Sequence, residues 1–216
     1  MDIKIRNEVP SDYRKVEEVT REAFWNLYCP GSNEHLIIHN LRKHEDFIKE
    51  LSFVIEVDGE IIGSIHYSKS KIISRDGKEY ETITFGPVSI LPKLHRKGFG
   101  RALIEHSIEV ARNLGYKSII IGGYPYHYET YGFVGAKKYG IALPDGNFYT
   151  GIMALPLYEG ALDEVSGVVY FSEAMEPDET MLNEFDKQFP YKEKKVQESQ
   201  LQFEIAVSEL DINNYY

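Results

Sequence analysis

The segment Leu91-Pro92-Lys93-Leu94-His95-Arg96-Lys97-Gly98-Phe99-Gly100-Arg101-Ala102-Leu103 constrains this chain more than any other. A strand-like run from Tyr80 to Leu91 leads into it. An amphipathic run over 100–114 leaves it, with Leu103, Ile104, Ile108 and Ala111 on one side and Gly115 as the stop. The order is strand, tight turn, helix. Two glycines in the turn carry no Cβ, so backbone N–H groups can converge there. The helix start adds unpaired donors and a partial positive charge. Arg96, Lys97 and Arg101 add formal charge in a chain whose net charge is -10. Such a turn suits phosphate oxygens. A P-loop would need Gly-Lys-Ser/Thr after a longer glycine spacing, and a dinucleotide fingerprint would need a third glycine where Leu103 stands. A solvated basic helix start with no ligand is the plain alternative for an isolated G-x-G.

The rest of the chain supplies the context. Ile3 and Ile5 alternate with charge and predict a short strand. Pro10-Ser11-Asp12 predicts a helix start, with Val16, Val19, Ala23 and Phe24 at helical spacing behind it. Tyr28-Cys29-Pro30-Gly31 is a break, and 34–43 predicts a second helix. Asp58-Gly59 and Asp76-Gly77 are hairpin turns between strand-like runs at 53–56, 61–67, 71–74 and from 79 onward. Pro87 inside the last run predicts a bulge or a splayed strand. Ile119-Ile120-Ile121 reads as a fully buried strand, parallel to the run ending at Leu91. Strand-like pieces follow near 140–143 and 149–155. From Glu176 the composition turns polar, with one amphipathic helix signal at Met181, Leu182 and Phe185, and the last residues are expected to be loose. Phe185, Phe189 and Phe203 make the tail too apolar for full disorder. This order predicts an α+β fold with a mixed central sheet.

Val88-Ser89-Ile90-Leu91-Pro92 followed by His95-Arg96-Lys97-Gly98-Phe99-Gly100 resembles the Q/R-x-x-G-x-G/A signature of the GNAT N-acetyltransferases. Phe85-Gly86-Pro87-Val88 and Tyr128-Glu129-Thr130-Tyr131-Gly132-Phe133 are similar to a subgroup of that family. The resemblance covers about 1–175, leaving 176–216 as a C-terminal extension, partly helical. It departs from the family at His95, where Gln or Arg is usual.

The resemblance implies a three-layer α/β/α fold whose mostly antiparallel sheet holds two splayed parallel strands. It implies acetyl-CoA as co-substrate, no metal, and direct transfer of an acetyl group to a primary amine. Coenzyme contacts would come from Val88, Ser89, Ile90, His95, Arg96, Lys97, Gly98, Phe99, Gly100 and Arg101. The Ile90 N–H would stabilise the oxyanion, although Val88 and Ile90 also suit ordinary strand core. Tyr128 would be the general acid and Glu34 the base, with Trp25 and His35 on the acceptor wall. For Glu34 a helix N-terminal carboxylate is the competing reading, and for Trp25 a place in the core. Cys29 has no His/Asp arrangement to activate it, and the seven His show no metal-ligand spacing. A non-catalytic acyl-CoA-binding module is the alternative function, and an interaction protein built on the extension a third.

Composition removes other classes. The acidic balance argues against a nucleic-acid binder. No stretch nears the ~20 apolar residues of a membrane span, and the N-terminus lacks a signal-peptide run. One cysteine permits no intrachain disulfide and suits a cytoplasmic protein. The acceptor could be a small-molecule or peptide amine, and a homodimer stays open.

Overall fold

In the computed structural model, residues 2–176 and 179–215 are described. The end of the tail, Tyr216, lies outside them, as do Met1, Pro177 and Asp178 near the expected boundary.

Among the described residues, one nine-stranded sheet organises the chain. Strands β1 (Ile3–Asn7), β2 (Phe53–Val57), β3 (Glu60–Ile73) and β4 (Glu79–Ile90) form an antiparallel meander. Asp58 (φ 50°) and Gly59 (φ 84°) make the β2–β3 turn, as Asp-Gly predicts. The two pieces expected at 61–67 and 71–74 are one continuous strand, β3. The bulge expected at Pro87 is present. Ile65 faces Val88 and Tyr67 faces Phe85, so two residues of β4 stand against one of β3. Strand β5 (Ser118–Gly122) runs parallel to β4 and pairs antiparallel with β8 (Ile152–Pro156), which also carries β6 (Val134–Gly135). Strands β7 (Ile141–Ala142) and β9 (Gly167–Tyr170) extend the far end of β3.

Helices cover both faces, giving the three layers. Helix α3 (Phe99–Asn113) lays Leu103, Ile104, Ile108 and Ala111 against Phe53, Ile65, Tyr67, Ile83 and Ile119 in the main core. Each fully buried side chain of this size contributes about 1.5–3 kcal/mol. Helices α1 (Tyr13–Phe24) and α2 (Glu34–Leu41) cover the opposite face, where Val16, Ile38, Val54 and Ile61 pack together. A buried ion network also lies there: Arg42 binds Glu8 at 2.5 Å and Glu17 at 2.8 Å. After β5 come the short helix α4 (Pro125–Tyr128) and a tight turn to Tyr131.

Two helices follow residue 176. Helix α5 (Glu179–Asp186) buries Phe185, and just beyond it Phe189, against Leu36 of α2. Helix α6 (Glu198–Ser208) has no counterpart in the sequence reading. Its apolar residues Leu201, Phe203, Ile205, Ala206 and Val207 fall all round the helix, so no one-sided period announces it. The expectation of loose last residues needs correction up to Tyr215. Leu210 bridges Tyr149, and Asp211, 5% exposed, donates its N–H to Phe148 and accepts from the Tyr215 hydroxyl at 2.9 Å. Backbone pairing of this kind leaves no hydrophobic pattern to read.

Candidate active site

Strands β4 and β5 pair at one register position only, Ile83 with Ile119. Beyond it β4 runs on to Ile90 and β5 to Gly122, and the two diverge. Leu91 N–H donates to Ile62 O at 2.8 Å. Antiparallel pairs alternate, so Ser89 and Ser64 form the next bonded pair, and the N–H and C=O groups of Val88 and Ile90 turn outward into the opening. His95 Nε2 lies 2.7 Å from the Ile90 carbonyl. A carbonyl only accepts, so this nitrogen carries the proton, and the ring ties the turn to the end of β4.

The turn itself is left-handed at two places, Arg96 (φ 60°) and Gly98 (φ 89°). Gly98 caps α3, whose first bond runs from Ala102 N–H to Gly98 O. The N–H groups of the first helical turn therefore have no intrahelical partner. A Cβ on Gly98 would meet nothing within 4 Å, so only the backbone angle and the space outside require glycine here. Arg96, Lys97 and Arg101 stand exposed around the turn. Ser89 differs from its neighbours. Its buried hydroxyl lies 3.0 Å from Ser64 and 3.2 Å from Thr20, in the layer beneath α1.

A cleft of about 800 Å³ joins these parts. The turn and β4 supply Val88, Ile90, His95, Arg96, Gly98, Phe99, Gly100 and Arg101. The opposite wall is Phe24, Leu27 and Tyr28 from the end of α1 and Tyr124, Tyr126, His127, Tyr128 and Tyr131 after β5, with Ser199 and Gln202 from α6. Tyr128 packs at 5.8 Å from both Phe85 and Phe133. Its ring rests on Gly123, where an added Cβ would lie 2.4 Å from Tyr128 Cε2. Its hydroxyl makes no hydrogen bond among the described residues, and burial pushes the phenol up to about 12.

The residues expected on the acceptor wall fall elsewhere. His35 is fully buried under α5, with Phe185 and Phe189 rings on it and Asp186 Oδ1 3.2 Å from Nε2. Trp25 donates its indole N–H to Glu193 O at 3.0 Å and lies under the Arg21 guanidinium. Neither lines the cleft. The tail covers both, and its docking could not be read from 25–35 alone. Glu34 begins α2, buried, with Oε2 accepting from Ser32 Oγ at 2.9 Å and Asn33 N–H at 3.1 Å. Burial raises its carboxyl above the ordinary range against those hydrogen bonds. Like Trp25 and His35 it does not line the cleft, but Tyr28 does, and its phenol is raised first by burial, then by nearby charges including Tyr128, Tyr124 and Glu34. Tyr28 is the residue that sequence reasoning missed. The available signal was the aromatic pair Phe24 and Tyr28 at i, i+4, where α1 ends.

The sequence profile of the Acetyltransferase (GNAT) family matches residues 18–133, more than half of the chain. The chain belongs to the GNAT acetyltransferase family. It is therefore an acyltransferase. A relative is the uncharacterized N-acetyltransferase YhbS of Escherichia coli K12, 24% identical over 170 residues, covering 78% of this chain and 96% of that one. The fold is similar to the crystal structure of Escherichia coli YhbS in complex with CoA, with TM-score 0.71, 21% identity, and 82% and 93% of the two chains covered. A GNAT family acetyltransferase from Brucella melitensis, in complex with acetyl-CoA, matches with TM-score 0.66 and 26% identity over 81% of this chain and 99% of that one. As in these structures, a mixed sheet with antiparallel and parallel strands is flanked by helices.

Proposed function

We propose that this family member is an N-acetyltransferase that binds acetyl-CoA in the cleft and transfers the acetyl group directly to a primary amine. The observation that carries this is the outward backbone of Val88 and Ile90, next to the Gly98 turn, where β4 and β5 part. Free N–H groups at the start of α3, with Arg96, Lys97 and Arg101 around them, suit a pyrophosphate. His95 serves there by fixing the turn on the Ile90 carbonyl. The pantetheine amides would pair along Val88 and Ile90 like an added strand. Phe99 contributes through backbone and packing, its side chain being buried, whereas Ser89, expected among the coenzyme contacts, turns its backbone to β3 and its hydroxyl to Ser64 and Thr20 and supports the strand from behind.

In the transfer step the amine nitrogen attacks the thioester carbonyl carbon, and the Ile90 N–H stabilises the oxyanion. The C–S bond then breaks as the C–N bond is kept. Tyr128 donates its hydroxyl proton to the departing sulfur, and the proton lost by the amine passes to Glu34 by way of the Tyr28 side of the cleft. The division of the chain into a catalytic domain over 1–175 and an extension over 176–216 belongs to the same reading. Incubation with acetyl-CoA and a panel of amines, following release of free thiol, tests it. Amine-dependent thiol release is expected. Tight coenzyme binding with no release over the panel would favour the acyl-CoA-binding module instead.

A further inference from the structure

We infer that the tail completes the acceptor side of the cleft, and that the amine taken there is a cationic primary amine with an apolar, ring-bearing body. This rests on the acetyl-transfer reading above.

The tail is fastened to the acceptor side from both ends. Asn26 Nδ2 donates to Glu193 O at 3.1 Å, and Lys195 N–H donates to Asn26 Oδ1 at 3.0 Å. Ser199 Oγ donates to Leu27 O at 2.8 Å, and Gln200 Nε2 to Asn26 O at 3.1 Å. Past α6, Thr150 N–H donates to Glu209 O at 3.0 Å. Between these anchors Phe203 stacks on Tyr28 at 4.1 Å and 25°, and meets Tyr124 edge-on at 6.1 Å. Phe203 thus sets the position of Tyr28, while Ser199 and Gln202 face the cleft beside it.

Charge marks one end of the cleft. The turn over 93–101 carries Lys93, Arg96, Lys97 and Arg101 and no carboxylate, and it draws a polyanionic coenzyme to that end. On the other side the tail contributes only the neutral Ser199 and Gln202, beside the apolar and aromatic surface of Phe24, Leu27, Tyr28 and Tyr124. Aromatic faces attract an ammonium group and cover a ring. Withdrawal from water also disfavours the charged amine and moves it toward the neutral form that attacks. An amine on a small polar or carboxylate-bearing body would leave the aromatic wall uncovered or place a charge against it.

The test uses the full chain, with 2-phenylethylamine, ethanolamine and glutamate as probes, in calorimetry with coenzyme A present and in the thiol-release assay. We expect 2-phenylethylamine to bind at least about tenfold more tightly than either other probe, a difference of ~1.4 kcal/mol. Gln202→Lys places a cation at the mouth on an exposed helix position and should weaken 2-phenylethylamine several-fold. Phe203→Leu should raise the KM for that amine by more than it lowers kcat. Equal binding of the three probes, or a Gln202→Lys variant with unchanged amine affinity, overturns the inference. Preferential binding of 2-phenylethylamine with no thiol release supports the acceptor wall and refutes the transfer reading. Thiol release with no preference among the probes does the reverse.

Discussion

Removing one oxygen from Tyr128 separates its chemistry from its packing. The ring is held by Phe85, Phe133 and the bare Gly123 backbone, none of which touches the hydroxyl's role as donor. No described residue hydrogen-bonds that hydroxyl, so Tyr128→Phe leaves no buried group unpaired. Stability should change by no more than ~0.5 kcal/mol, and coenzyme A affinity should hold. The phenol is pushed up to about 12 by burial, and an ordinary thiol sits near ~8.5, so full transfer from tyrosine to sulfur is uphill by about 3.5 units, or ~5 kcal/mol. The sulfur departs within the same apolar walls, which disfavour its thiolate too and narrow that gap. The proton then moves as the C–S bond lengthens, when the sulfur's demand for it is greatest. Loss of a positioned donor costs ~10²–10⁴-fold in rate, or about 3–5 kcal/mol of transition-state stabilisation. Single-turnover measurement of thiol release in Tyr128→Phe should show that loss with an unchanged Tm and coenzyme Kd. Wild-type single-turnover rates would refute the assignment.

Three further outcomes follow from the geometry. Gly98→Glu should lower coenzyme A affinity by on the order of a hundredfold or more while the fold survives, because the side chain enters open space at the phosphate turn with repelling charge; unchanged affinity by calorimetry counts against the site. Gly123→Ala should cut turnover and spare coenzyme binding, since its Cβ would lie 2.4 Å from Tyr128 Cε2 and must displace the ring; wild-type turnover would show that the ring's position is not needed. His35 is held down to about 4, chiefly by burial, against ~6.5 when unfolded. Its folded form thus binds fewer protons, so its contribution is complete above pH ~6.5 and falls away toward pH ~4, by up to about 3 kcal/mol. Urea midpoints at pH 7.5 and 4.5 should show a smaller acid loss in His35→Gln than in wild type, and equal losses would refute the attribution.

Where one residue's neighbours lie nearby in sequence, the chain was readable. Gly98, Gly100 and Gly115 mark both ends of α3 without any tertiary knowledge, and Asp58-Gly59 fixes the β2–β3 register. The irregularity at Pro87 and the buried run Ile119–Ile121 were local signals, whereas the opening between β4 and β5 came from the family resemblance. The acceptor side was not. Whether Trp25 and His35 face substrate depends on what the chain does some 150 residues later, where Asp186 and Glu193 arrive to bind them. Helix α6 defeats periodicity because its apolar residues point in every direction, its start being held by side-chain bonds from Ser199 and Gln200 to Leu27 and Asn26 rather than by a buried stripe. Strand β9 was missed because four residues, pairing with Lys71–Ile73 and Ile141–Ala142, carry too little alternation to read.

Burial raises both the carboxyl of Glu34 and the phenol of Tyr128, and in the proposed transfer the two shifts would serve opposite roles. A carboxylate with a raised pKa is a better proton acceptor, and it is ionised only above that value. A phenol near 12 remains a loaded donor through the whole working range of the enzyme. In that proposal acid and base would be set apart by ordinary chemistry, carboxyl against phenol, with burial raising each. The pH profile of kcat follows from the signs. Rate should climb as pH rises through the raised Glu34 value and as the amine, ~10.4 when free, sheds its proton. No descending limb from Tyr128 should appear below pH 10, because the donor is still protonated there. Glu34→Gln should remove the lower part of the ascending limb and leave coenzyme affinity intact. A descending limb below pH 10 that vanished in Tyr128→Phe would show a donor with a much lower pKa, and burial could then no longer be the force that tunes it.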